Sequence, residues 1–130
     1  MSKEVENKKH ILIAEDDSFY ATIYTERLTQ LGYKVDVASN GEELLTMLKT
    51  TKPDLVMLDV IMPKMDGFEV LKKIRSQPEN DDLKILMLSN LRQNEDVEKA
   101  KELGATDYIF KGSTSIHEII DKINSLIRGN

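Results

Sequence analysis

The feature that most constrains this chain is a fivefold alternation of short apolar runs with amphipathic stretches. "HILIAE" (10–15) reads as a strand. "SFYATIYTERLTQLG" (18–32) reads as a helix, with Tyr20, Ile23, Tyr24, Leu28 and Leu31 recurring at spacings of three and four and Gly32 as its stop. "YKVDVAS" (33–39) alternates apolar and polar residues as a half-exposed strand does. Asn40, with Glu43 three positions on, predicts the capped start of a helix through Leu44, Leu45 and Leu48. "DLVMLD" (54–59) is a continuous apolar run suited to a strand covered on both faces. Phe68, Leu71 and Ile74 then begin a helix capped by Asp66 or Gly67. "LKILMLS" (83–89) and "TDYIF" (106–110) predict two more strands, separated by a helix over 94–104 that Asn94 caps and Gly104 stops. The last helix carries Ile116, Ile119, Ile120, Ile123, Leu126 and Ile127 on one face. Strict strand–helix alternation predicts an α/β fold, a doubly wound parallel sheet of five strands with helices on both faces.

A chain of 130 residues suits one domain, expected here over 9–130, behind a polar, aperiodic and flexible N-terminal tail at 1–8. No apolar stretch approaches the roughly 20 residues needed to span a bilayer, and the charged N-terminus lacks the apolar centre of a secretory signal. The absence of cysteine excludes disulfides, zinc–thiolate sites and thiol chemistry. A cytoplasmic location is the expectation. The net charge of −5 argues against direct nucleic acid binding by this domain, because phosphate binding needs a basic surface.

In open parallel sheets, ligands bind at the carboxyl ends of the strands, near the point where strand order reverses. The first strand ends in Glu15-Asp16-Asp17, the third in Asp59, the fourth in Ser89-Asn90 and the fifth in Phe110-Lys111. Singly these have ordinary meanings. Three acids in a row serve a solvated loop and a helix start, and a lone lysine or serine after a strand sits at the surface or in a turn. Asp59 is harder to dismiss, because it closes an apolar run. Their convergence on one sheet edge carries the functional reading. Carboxylates crowded at Glu15, Asp16 and Asp59 either raise their pKa values or recruit a cation. Oxygen ligands with no His or Cys nearby favour Mg²⁺. A bound cation leaves Asp59 able to act as a nucleophile that forms an acyl phosphate. Ser89 and Lys111 are then placed to share the phosphoryl oxygens with the metal.

Over residues 9 to 128 the sequence resembles the receiver domain of bacterial two-component response regulators. The pieces that carry the resemblance are "ILIAEDD", "GYKVDVASNGEELL", "PDLVMLDVIMPKMDG", "ILMLSN" and "GATDYIFK", in that order. The resemblance implies a flavodoxin-like strand order 2-1-3-4-5. It implies that Asp59 is the phosphoacceptor, modified by the phosphohistidine of a sensor histidine kinase or phosphotransfer protein. Glu15 and Asp16 match the acidic pair, with Asp16 the direct Mg²⁺ ligand, and Ile61 offers its backbone carbonyl to the metal. Ser89 matches the hydroxyl residue that moves toward the phosphoryl group, Lys111 the paired lysine, and Tyr108 the switching aromatic on the fifth strand. The implied output is a repacked surface over the fourth helix, fifth strand and fifth helix, where phosphorylation-dependent dimers or effectors dock. Such a domain is not an enzyme toward other substrates; it catalyses only its own phosphorylation and dephosphorylation.

Two positions qualify the match. The family usually follows the lysine with proline, often through a cis bond, and here Gly112 follows Lys111. Without proline a cis bond costs about 2.5–4 kcal/mol, which predicts a trans bond or a looser loop. Ile61 and Leu91, two residues beyond Asp59 and Ser89, are apolar and cannot activate a water. Slow acyl-phosphate hydrolysis is therefore expected unless a partner phosphatase assists, and Glu or Asn at either position is expected to change the decay rate. The competing function is a pseudo-receiver, a phosphorylation-independent interaction module, disfavoured because every acid, the hydroxyl and the lysine are present. An aspartyl phosphohydrolase needs a second acid at the position of Ile61, and a flavodoxin needs a hydroxyl-rich phosphate loop where this chain has acids.

Overall fold

Both side-chain parities of the central strands are apolar, so neither face of the sheet can be left to water. The computed structural model, which describes residues 8–91 and 93–128, shows how they are covered. The chain runs β1 (His10–Ala14), α1 (Ser18–Gln30), β2 (Lys34–Ala38), α2 (Gly41–Leu48), β3 (Leu55–Asp59), α3 (Gly67–Arg75), β4 (Lys84–Ser89), α4 (Asn94–Glu102), β5 (Asp107–Phe110) and α5 (Ile116–Arg128). Short 3₁₀ turns at Pro78–Asn80 and Lys111–Ser113 complete it. All pairings are parallel and the strand order is β2-β1-β3-β4-β5. Of the expected tail, all but Lys8 lies outside the described residues. No described helix is long and apolar enough to cross a membrane.

Alternate strand residues feed two cores. Leu12, Val56, Leu58, Ile85 and Met87 pack with Leu44 of α2, Val70 and Leu71 of α3 and Ala100 of α4. Ile11, Ile13, Leu55, Met57, Leu86 and Leu88 pack on the other face with Tyr24 and Leu28 of α1 and Ile119 and Ile123 of α5. The face assignment matters for the site, because it decides which helix overlooks which strand end.

Most helix starts follow the expected chemistry. Asn40 Oδ1 accepts from the Glu43 amide at 2.8 Å, although the Glu43 carboxylate turns to the Ser39 amide rather than to Asn40. Asp66, not Gly67, caps α3 through a reciprocal box with Glu69. Two expectations need correction. Asn94 is the first residue of α4 and not its cap; Gln93 holds that position with no side-chain hydrogen bond. Leu31 does not join the buried face of α1 formed by Tyr24 and Leu28: it is the C-cap residue after Gln30 and is 56% exposed. On α5 only Ile119 and Ile123 are fully buried; the other apolar residues of that face are half-buried.

Candidate functional site

The apolar run of β3 anchors Asp59 at the carboxyl end of the sheet, where β1 gives way to β3 across the reversal of strand order. Its position is held from behind by Gly67. The Gly67 amide donates to the Val60 carbonyl at 2.8 Å, and a Cβ at residue 67 would lie 2.2 Å from the Asp59 carbonyl oxygen. The start of α3 can press against β3 so closely only because that side chain is missing. The turn between them includes Lys64 at φ 72°.

Side-chain parity sorts the remaining residues. Asp59 shares the parity of Leu55 and Met57, Glu15 that of Ile11 and Ile13, and Lys111 that of Ile109, so all three lean to the face covered by α1 and α5. There they meet. Lys111 Nζ lies 2.7 Å from Glu15 Oε1 and 3.1 Å from Asp59 Oδ2, with all three side chains at most 8% exposed. Carboxylate oxygens of Glu15, Asp16 and Asp59 lie within 4.8 Å of one another, and Asp16 is the exposed member. The third acid of the run, Asp17, is spent otherwise: its Oδ1 accepts from the Phe19 amide at 2.9 Å and caps α1.

The charges perturb one another. Burial pushes the Glu15 carboxyl up to about 7 against the hydrogen bond from Lys111, and the Asp59 charge adds to the rise. Burial pulls the Lys111 ammonium down, but its bond to Glu15 and the charges of Asp59 and Glu15 outweigh that and leave it raised. Hard oxygen donors of this kind, one open to water, fit an Mg²⁺ ion, and the single ammonium between two acids leaves net negative charge for a cation to neutralise.

Ser89 and Tyr108 have the opposite parity and face the α4 side. Ser89 is fully buried, and its Oγ accepts from the Leu91 amide at 3.1 Å. Tyr108 is half-buried; its Oη donates to the Leu91 carbonyl at 3.0 Å, and burial raises its pKa against a hydrogen bond with Ser89. Ile61 follows Asp59 with its side chain 60% exposed and its amide 3.4 Å from Asp59 Oδ1. The Lys111–Gly112 bond is trans, as the missing proline predicts, and lies in a 3₁₀ turn. A Cβ on Gly112 would stand 2.9 Å from Asn90 Oδ1, so Asn90 occupies the space that a larger residue at 112 would need.

All of the expected residues thus converge on one edge. The sequence did not disclose an aromatic neighbour. The ring of Tyr20, on α1, lies 4.4 Å from Lys111 Nζ. Its helical spacing with Tyr24 was visible but signals core packing, not proximity to a lysine ninety residues away.

The family model of the response regulator receiver domain matches residues 11–124. The chain belongs to that family. It is 40% identical over 127 residues to the probable transcriptional regulator ycf27 of Cyanidium caldarium, covering 98% of this chain and 49% of that protein. It is also 40% identical over 122 residues to the alkaline phosphatase synthesis transcriptional regulatory protein PhoP of Bacillus subtilis, covering 94% of this chain and 49% of that protein. The receiver therefore spans about half the length of the curated relatives it matches. Among solved structures it resembles the Thermotoga maritima response regulator TrrA in complex with Mg²⁺–BeF, at TM-score 0.80 and 32% identity over 91% of this chain and 98% of that one. It also resembles the Vibrio cholerae chemotaxis protein CheY4, at TM-score 0.85 and 26% identity over 92% of this chain and 98% of that one.

Proposed function

We propose that this receiver accepts a phosphoryl group on Asp59 from a sensor histidine kinase or phosphotransfer protein and so switches its output surface. The observation that carries the proposal is the buried Lys111 ammonium shared by Glu15 and Asp59, beside the exposed carboxylate of Asp16. An Asp59 carboxylate oxygen attacks phosphorus, and the bond from phosphorus to the donor's leaving atom breaks. Lys111 is placed to follow the new oxygens from Asp59 Oδ2, and Ser89 to bind one by turning its hydroxyl from the Leu91 amide. Glu15, Asp16, Asp59 and the Ile61 carbonyl would hold Mg²⁺, which when bound neutralises the charge gathered on the phosphoryl oxygens. The Mg²⁺–BeF complex of the related TrrA supports this assignment.

Moving Ser89 draws on the Leu91 loop to which Tyr108 is also bonded, and a shift there repacks β5 against α4. A pre-existing two-state equilibrium is thereby biased. Dimers or effectors then read the surface formed by α4, β5 and α5. The apolar Ile61 and Leu91 leave dephosphorylation to a partner phosphatase. The site belongs in the cytoplasm, where kinase and Mg²⁺ meet it.

The test is incubation with phosphoramidate and Mg²⁺ followed by intact mass. The wild-type protein is expected to gain about 80 Da, one phosphoryl group, and Asp59→Asn to gain nothing. An unmodified wild type, with this donor and with cognate kinase, would instead favour an interaction module.

A further inference from the structure

We infer that Tyr20 is a positioning residue for the phosphoryl-binding lysine, its ring face holding the Lys111 ammonium in register with Asp59. The inference rests on the proposed role of Lys111 in phosphoryl binding. Lysine is a point charge on a flexible four-carbon stem, so an accurately placed ammonium needs restraint from its surroundings. The residue after Lys111 is an exposed glycine, which restrains the backbone less than a residue with a side chain. Side chains supply it instead. Glu15 Oε1 and Asp59 Oδ2 take two sides of the ammonium at 2.7 and 3.1 Å, and the Tyr20 ring lies 4.4 Å away. That separation is well inside the range of a cation–π contact, and Lys111 is 5% exposed, so the attraction acts with little competition from water.

The ring is itself held. Tyr24, 3% exposed, stacks behind it with centroids 6.0 Å apart and planes inclined by 27°. Phe19 meets it edge-on at 5.6 Å and 75°. Three aromatic residues of α1 therefore form a wall whose middle member faces the lysine. The kind of contact matters as much as its presence. When a phosphoryl group arrives on Asp59, the ammonium must move by a small distance to new oxygens. A hydrogen-bond acceptor in place of Tyr20 would have to be given up in that move. A ring face is attractive over a broad area and keeps hold of the charge while it slides.

Two measurements test this together. Phosphorylation by phosphoramidate and Mg²⁺ is followed by intact mass for the wild type, Tyr20→Phe and Tyr20→Leu. The phenylalanine variant keeps the ring and is expected within about twofold of the wild-type rate, whereas the leucine variant is expected to lose about fivefold or more. In parallel, urea unfolding of the metal-free protein is measured for Tyr20→Leu in the wild type and in Lys111→Met. The midpoint should fall further in the wild type, because only there does the ring have an ammonium to hold. Equal midpoint shifts in the two backgrounds, or a leucine variant phosphorylated as fast as the wild type, would overturn the inference and leave the phosphoacceptor role intact. A wild type that takes no phosphoryl group would remove both.

Discussion

Burial of ionisable and polar groups around Asp59 is costly, and each group shows how the cost is met or left standing. Lys111 is satisfied by two carboxylates, and Ser89 and Tyr108 by the Leu91 backbone. Tyr24 is the exception: its hydroxyl is buried with no hydrogen-bond partner among the described residues. Its neighbours are acids, and burial with the Glu15 charge drives its pKa well above the usual tyrosine value. Tyr24→Phe keeps the ring that backs Tyr20 and removes the unpaired hydroxyl. It should stabilise the protein by about 1 kcal/mol, read as a higher urea midpoint at unchanged slope. A loss of stability would mean that the hydroxyl has a partner. Nothing in the linear pattern marked Tyr24 in this way, because tyrosine at an inward helical position passes for an ordinary core residue.

Individual elements show what local sequence can and cannot disclose. Asn40 and Asp66 announced their helices because a cap acts within four residues. α5 starts with a reciprocal Ser115–Glu118 box, and its S-x-x-E spacing is a local signal of the same kind. Asn94 is the better cap by side-chain chemistry, yet Gln93 takes that position with no side-chain hydrogen bond, so this boundary was not legible from capping preference. Gly67 is legible only in part. Its place after Asp66 suggests a helix start, but its need to be glycine comes from the Asp59 carbonyl across the turn. Gly67→Ala should therefore destabilise the protein by about 1–3 kcal/mol, the usual cost of forcing a methyl into packed structure. Because the displaced atoms are the backbone of Asp59 and Val60, the same variant should also slow phosphorylation. An alanine variant with wild-type stability and rate would show that α3 can back away freely.

For the whole molecule, the parallel doubly wound sheet was readable because the central strands are apolar and every connection is helical, which leaves few topologies. The convergence of Glu15, Asp16, Asp59, Ser89 and Lys111 was readable for the same reason: parallel strands put all their carboxyl ends on one edge. What strand order alone did not show is the division of that edge by parity into an acid–lysine side under α1 and a Ser89–Tyr108 side under α4. The acid–lysine side gives the molecule a pH signature. Glu15 titrates near 4.5 when unfolded and is raised to about 7 when folded. The folded state therefore holds the proton more tightly, and the associated stability is complete below pH 4.5 and lost as pH rises toward 7. Glu15→Gln should match the metal-free wild type near pH 4.5 and exceed it at pH 8 by about 1–3 kcal/mol. A stability difference that does not change with pH would contradict the assignment of that carboxyl.

Asp59 itself is proposed to carry the phosphoryl group. The most direct measurement is to phosphorylate the wild-type protein, digest it and locate the added mass, with half of the sample first treated with hydroxylamine. An acyl phosphate on the peptide containing Asp59, removed by hydroxylamine and absent from Asp59→Asn, is the predicted result. A hydroxylamine-stable phosphate on Ser89, or modification that survives in Asp59→Asn, would contradict it.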